Sequence, residues 1–233
     1  MRGFVAACAV GMCLGLGACG GGDAVVRTLP FADDFSGECV WPDGSNGGAF
    51  AYGCSDGRYK LTLKGRGFQA YHVTQGFDLH SKAVRIEVDT VAKNGALVGI
   101  GCIKDDQHGY VAAVSTDGAW GIGRVAPDNR IVWLTGTHTH ALSLPSPGTP
   151  IRIGIMCGAT TGDGATAVAV LVNGRAVGST SDPVRSGYAP FDGVFLYADT
   201  DPGSVTYDNL AAREATRAEI TDAQSNATHG QAS

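Results

Sequence analysis

The sequence predicts an all-β protein in which short antiparallel strands fold as a sandwich or barrel. Three observations point there. Apolar and polar residues alternate over short runs, the period of two that sends successive side chains to opposite faces of a sheet. Asp-Gly and Asn-Gly pairs fall between those runs, where tight hairpin turns need residues that tolerate positive φ. Glycine is 35 of 233 residues, about twice ordinary usage, and charged residues are only 17%, a balance suited to many turns. No 3.6-residue apolar period is sustained between residues 31 and 210, and no internal repeat is visible.

The elements follow in order. Residues 58–63 alternate after Asp56-Gly57. Residues 84–91 set Val84, Ile86, Val88 and Thr90 against Arg85, Glu87 and Asp89. Residues 97–103 follow the turn-forming Lys93-Asn94-Gly95. Residues 110–115 and 119–125 flank Asp117-Gly118, a hairpin signal. Residues 131–134 are short and apolar, and residues 151–157 form the next strand. Residues 167–172 and 175–177 flank Asn173-Gly174, a second hairpin, and residues 194–198 and 205–210 complete the set. Beyond Leu210, residues 211–220 suit a short helix. Residues 221–233 are polar and small and read as a disordered tail.

The chain opens Met1-Arg2-Gly3, runs apolar from residue 4 to residue 14, and continues Leu16-Gly17-Ala18-Cys19-Gly20. A short charged start, a short apolar stretch and small residues before a cleavage point make an export signal. The apolar run is shorter than the ~20 residues that cross a bilayer. Leu16-Gly17-Ala18-Cys19 resembles a bacterial lipobox. The resemblance implies that residues 1–18 are removed and that Cys19 is acylated. Diacyl and N-acyl (palmitate-type) chains would then anchor the protein to a lipid bilayer. Two or more chains hold stably where one does not. Residues 19–30 read as a tether, residues 31–211 as the folded domain and residues 212–233 as the polar tail. The expected location is outside the cytoplasm, on the cytoplasmic membrane or on the outer membrane of a Gram-negative source.

Of seven cysteines, Cys39, Cys54, Cys102 and Cys157 follow Cys19. An even set in an exported chain predicts disulfides, with three connectivities open. Cys39 and Cys54 bracket a Gly-rich loop. Cys102 is in phase with Val98 and Ile100, and Cys157 with Ile151, Ile153 and Ile155, so each sulfur points with its strand's apolar face. These patterns favour Cys39–Cys54 and Cys102–Cys157. A zinc site would want closer Cys-x₂₋₄-Cys pairs.

Several segments together resemble concanavalin A-like (laminin-G-like) jelly rolls. They are Asp33-Asp34-Phe35-Ser36, the Arg85–Asp89 strand, Gly99-Ile100-Gly101-Cys102, Leu171-Val172-Asn173-Gly174 and Val205-Thr206-Tyr207-Asp208-Asn209-Leu210. The resemblance implies two packed antiparallel sheets, a jelly-roll sandwich with first and last strands adjacent. It does not imply one function, because the fold hosts lectins, carbohydrate-binding modules, glycan hydrolases and adhesion domains.

Jelly-roll β-glucanases carry Glu-x-Asp-x-Glu or Glu-x-Asp-x-x-Glu on one strand, because glycoside cleavage needs two flanking carboxyls, about 5–5.5 Å apart for retention. Glu87 and Asp89 share a face, about 7 Å apart along a strand. Val91 and Ala92 occupy both places open to the second Glu, so the catalytic pattern breaks. His138-Thr139-His140 could aim two rings one way, as zinc sites do, but no third ligand is identifiable. Asp34 and Asp208 could serve a structural calcium if the terminal strands adjoin, since calcium takes six to eight oxygens. No Gly-x-Ser-x-Gly elbow is present, and Gly121-Ile122-Gly123 opens no helix and is not a nucleotide loop. Trp41, Trp120, Trp133, Tyr71, Tyr110 and Tyr197 are the aromatic stock for sugar stacking. Trp120, in phase with Ile122, reads as core, and Trp133 as the platform candidate.

The mild net charge of −5 argues against nucleic acid as a partner, which wants a basic surface. The expectation is a monomeric, lipid-anchored, non-catalytic binder of glycan or of a cell-envelope protein. Glu87, Asp89, Trp133, His138 and His140 are the candidate contacts, and no cofactor is required beyond a structural calcium. A glycan-active hydrolase is the alternative, and a structural envelope protein without a small ligand the third.

Overall fold

The computed structural model describes residues 28–39, 41–46, 49–64, 68–73, 83–93, 95–105, 108–126, 130–136, 142–159, 165–183 and 191–229. The leader, Cys19, most of the tether, His138 and His140 lie outside them. The described strands are β1 (Phe31–Asp33), β2 (Gly44–Asn46), β3 (Phe50–Ser55), β4 (Arg58–Leu63), β5 (Phe68–Val73), β6 (Ala83–Val91), β7 (Leu97–Asp105) and β8 (His108–Ser115). They continue with β9 (Trp120–Val125), β10 (Ile131–Trp133), β11 (Ile151–Ala159), β12 (Thr166–Val172), β13 (Arg175–Asp182), β14 (Gly193–Thr200) and β15 (Gly203–Glu214), and one helix follows, α1 (Arg217–His229).

These strands form a two-sheet antiparallel sandwich. One sheet runs β13-β12-β11-β6-β15-β4-β3-β2, and β1 pairs with β15. The other runs β10-β9-β8-β7-β14-β5. First and last strands adjoin: Phe31 faces Ala212 and Asp33 faces Leu210. β1 therefore shares an edge of β15 with β4, which takes Gly203 to Tyr207.

Alternation along the strands builds the interior. Val84, Ile86 and Val88 of β6 meet Val98, Ile100 and Cys102 of β7 in one buried cluster with Ile153, Ile155, Val170 and Leu196. Each large side chain hidden there contributes about 1.5–3 kcal/mol. Trp120 is 2% exposed and belongs to this core. Its ring lies where a Cβ on Gly178 would sit, so no larger residue fits beneath it.

The sulfur bridges are Cys39–Cys54 and Cys102–Cys157, with Cα atoms 5.8 Å and 6.7 Å apart. The second joins β7 to β11, one strand from each sheet, and both of its residues are fully buried. The hairpin at Asn173-Gly174 has two residues, both at positive φ (49° and 79°), with Val172 facing Arg175. Asp56-Gly57 repeats this geometry at 55° and 69°. Asp117-Gly118 does not. The Ser115 amide donates to the Ala119 carbonyl, so three residues make that loop, and of them only Gly118 turns left-handed.

The C-terminal region departs from the sequence expectation. β15 continues through Glu214, with Ala211, Ala212, Arg213 and Glu214 paired to β6. Helix propensity in Ala-Ala-Arg-Glu yields here to ladder bonds on both edges. The helix begins later and includes residues 221–229, which were expected to be a disordered tail. Its start is a capping box. Thr216 Oγ1 accepts from the Glu219 amide at 3.2 Å, and Glu219 Oε2 accepts from the Thr216 amide at 3.0 Å. Ile220 and Ala223 then bury against Met156, Ala167, Ala169 and Leu171 on the outer face of the larger sheet. Thr-x-x-Glu was visible in the sequence and was the signal passed over.

Candidate functional site

The outer face of the larger sheet carries the candidate carboxylates. β6 turns Val84, Ile86 and Val88 inward, so Arg85, Glu87 and Asp89 point outward. β11 lies beside it with Arg152 opposite Asp89 and Gly154 opposite Glu87. A Cβ on Gly154 would crowd the Glu87 side chain, so this glycine makes room for it.

The polar side chains form a mesh. Arg152 Nη1 donates to Asp89 Oδ1 at 2.9 Å, and Asn209 Nδ2 donates to Asp89 Oδ2 at 2.9 Å. Arg85 Nε donates to Glu87 Oε2 at 2.8 Å, and Arg152 Nε stands 3.8 Å from Glu87 Oε1. Arg152 also bonds the Asn209 carbonyl at 3.2 Å. Asn209 reaches this place because β15 bulges there, with its backbone at φ 49°. The Glu87 side chain is 15% exposed and that of Asp89 30%. Opposite charges on neighbouring strands in this geometry fix one another.

Such a mesh is built from hydrogen bonds and ion pairs, with Glu87 set against two guanidiniums. Each carboxylate presents fixed acceptors, and each guanidinium has donors to spare, which matches the paired donors and acceptors of sugar hydroxyls.

The other candidates fall elsewhere. Trp133 lies on the outer face of the smaller sheet, on the opposite side of the sandwich from Glu87 and Asp89. It is half-buried and meets the Tyr197 ring edge-on at 6.3 Å, within a second apolar cluster of Val111, Ala113 and Phe195. It does not join the carboxylates in one site. Asp34 takes the Ser36 amide at 3.0 Å and the Ser36 hydroxyl at 2.8 Å, which hold its carboxyl below the usual range. Asp208 accepts from the Asn209 amide at 2.8 Å and faces Arg58 at 3.6 Å. Among the described residues no three His, Cys, Asp or Glu gather as a metal set.

Sequence reading missed the arginines and Asn209. Ile151 and Ile153 were read as inward, which places Arg152 outward by parity. That was the available signal, but its pairing with Asp89 needs the β6–β11 register. It also missed a buried polar cluster. Asp182 is 2% exposed and accepts from Arg124 Nη1 at 2.9 Å and from the Tyr110 hydroxyl at 3.2 Å.

No family model and no curated protein matches the chain by sequence. Solved structures do match it in shape. A sialidase aligns with TM-score 0.53 at 13% identity over 82% of this chain, which spans only 19% of the sialidase. A Bacillus subtilis protein of unknown function with a galectin-like fold aligns with TM-score 0.51 at 11% identity, over 80% of this chain and 96% of that one. The metal-free carbohydrate recognition domain of Emp46p aligns with TM-score 0.51 at 10% identity, over 76% and 88%. The likeness shows the fold alone, a two-sheet β-sandwich of galectin-like or concanavalin-like form.

Proposed function

We propose that this protein is a lipid-anchored binding module of the cell envelope that recognises glycan, or the surface of an envelope partner, without cleaving it. One observation carries the reading. The carboxylate pair that a hydrolase would use is committed to Arg85, Arg152 and Asn209. A mesh of paired donors and acceptors supplies recognition, and Val91 and Ala92 stand where the second catalytic Glu of the jelly-roll glucanase pattern would be. The lipobox-like Leu16-Gly17-Ala18-Cys19 supports anchoring at Cys19, as a monomer outside the cytoplasm.

Two experiments test this. Metabolic labelling with an alkynyl fatty acid should mark the protein, and Cys19→Ser should abolish the mark. Unchanged labelling of that variant would remove the anchor from the account. A glycan array probed with the exported Cys19→Ser chain should show binding that Arg152→Ala weakens. Binding indifferent to Arg152 would place recognition elsewhere.

A further inference from the structure

We propose a second binding site, beside the carboxylate mesh and sharing Arg85 with it, in the cleft between α1 and the β12–β13 hairpin. Its ligand class is a small zwitterion with an apolar side chain: an amino acid or a short peptide.

The cleft exists because α1 covers the larger sheet incompletely. Ile220 and Ala223 seat the helix on the sheet. Beside them, toward Gly174 and Arg175, an opening of about 400 Å³ remains, within the ~300–1,000 Å³ range of ligand pockets. Met156 and Leu171 lie beneath its floor, already packed under α1, and Ala176 and Ala223 flank them. Methionine adapts its shape to whatever packs on it.

Its charges are arranged by sign. Arg85 lines one wall and is held rigid by three acceptors: Glu87 at 2.8 Å, Glu219 at 3.3 Å and the Gly174 carbonyl at 2.9 Å. A guanidinium has five N–H donors, so two remain. Arg175 stands exposed on the hairpin side and has no ion pair among the described residues. Asp222 stands exposed on the helix side, likewise unpaired among the described residues. Glu219 is already bound by Arg85, Arg213 and Thr216.

One ligand chemistry satisfies all of this. A carboxylate takes Arg175 and the spare donors of Arg85, with the strength of charge-assisted bonds. An ammonium takes Asp222. The side chain between them rests on the apolar lining around the half-buried Ala176. A simple anion would face Asp222 and Glu219, and a purely apolar guest would strip water from Arg85 with no return.

The test is a titration of the exported Cys19→Ser chain with leucyl-leucine, followed by two-dimensional NMR. The amides of Ala176 and Ala223 and the Met156 methyl should shift with one dissociation constant. Arg175→Ala and Asp222→Ala, both exposed changes, should each weaken it at least about tenfold, the loss of one charged hydrogen bond. Lys60→Ala, on β4, should leave it unchanged. The proposal is overturned if these signals do not move, if both variants bind like the parent, or if acetate or N-acetyl-leucine amide binds as well as the dipeptide.

Discussion

The guanidinium of Arg124 on β9 reaches across the sandwich to Asp182 at the end of β13, 2.9 Å from Nη1 to Oδ2. The carboxylate is almost wholly buried, and the pair ties one sheet to the other. Removing one member of such a pair leaves an uncompensated charge, at a cost of about 3–5 kcal/mol. Arg124→Ala should therefore lower unfolding stability by that order in urea titrations. The double change Arg124→Ala/Asp182→Ala should cost less than the sum of the singles, because neither partner is then left alone. Strict additivity would show that the two do not interact.

The disulfides act at two scales. Cys39–Cys54 has a sequence separation of 15 residues and Cys102–Cys157 one of 55. Loop-closure entropy puts these at about 3 and about 4 kcal/mol. Paired Cys→Ala variants should show that order of loss, with the inter-sheet bridge the more costly. A negligible loss for Cys102→Ala/Cys157→Ala would mean the core alone sets the sheet spacing.

These features were unevenly legible in the sequence. Parity along β7 and β11 was enough to pair Cys102 with Cys157, since each sulfur had to point with its apolar face. Parity could also aim Glu87 and Asp89 outward. It could not say which strand lies beside β6, and so could not supply Arg152 or Asn209. Trp133 sat in an apolar run where an exposed ring and a half-buried one read alike. The strand β1 is too short to alternate visibly and exists because β15 offers it an edge. Asp182, beside Pro183 in a polar stretch, gave no local sign that the fold would bury it.

Two tyrosines make a paired test. The Tyr207 hydroxyl donates to the Tyr197 carbonyl at 2.6 Å in a fully buried site. The Tyr197 hydroxyl is buried with no partner among the described residues. Tyr207→Phe should cost about 1 kcal/mol, the net worth of a buried hydrogen bond, whereas Tyr197→Phe should cost nothing or stabilise slightly. Equal losses would show that Tyr197 has a polar contact after all.

Acid should loosen α1 before the sandwich. The bond from Arg213, with help from Thr216, pulls the Glu219 carboxyl down from 4.5 to about 2. A carboxyl depressed in the folded state stabilises fully above its unfolded value and loses that contribution as pH falls toward the folded one. The clamp is thus intact at neutral pH and fades between about 4.5 and 2. Amide exchange in α1 should rise across that window, while β6 and β11 stay protected. Glu219→Gln should show fast α1 exchange already at pH 7. Uniform loss across helix and strands would contradict a separate helical clamp.

On the proposed function, Glu87 and Asp89 hold ligand in place and do no hydrolysis. The most direct measurement is reducing-end release from a broad polysaccharide panel, run beside binding, for the parent chain and Glu87→Gln. The prediction is binding by both proteins and new reducing ends from neither. Reducing ends released by the parent and lost in Glu87→Gln would contradict it.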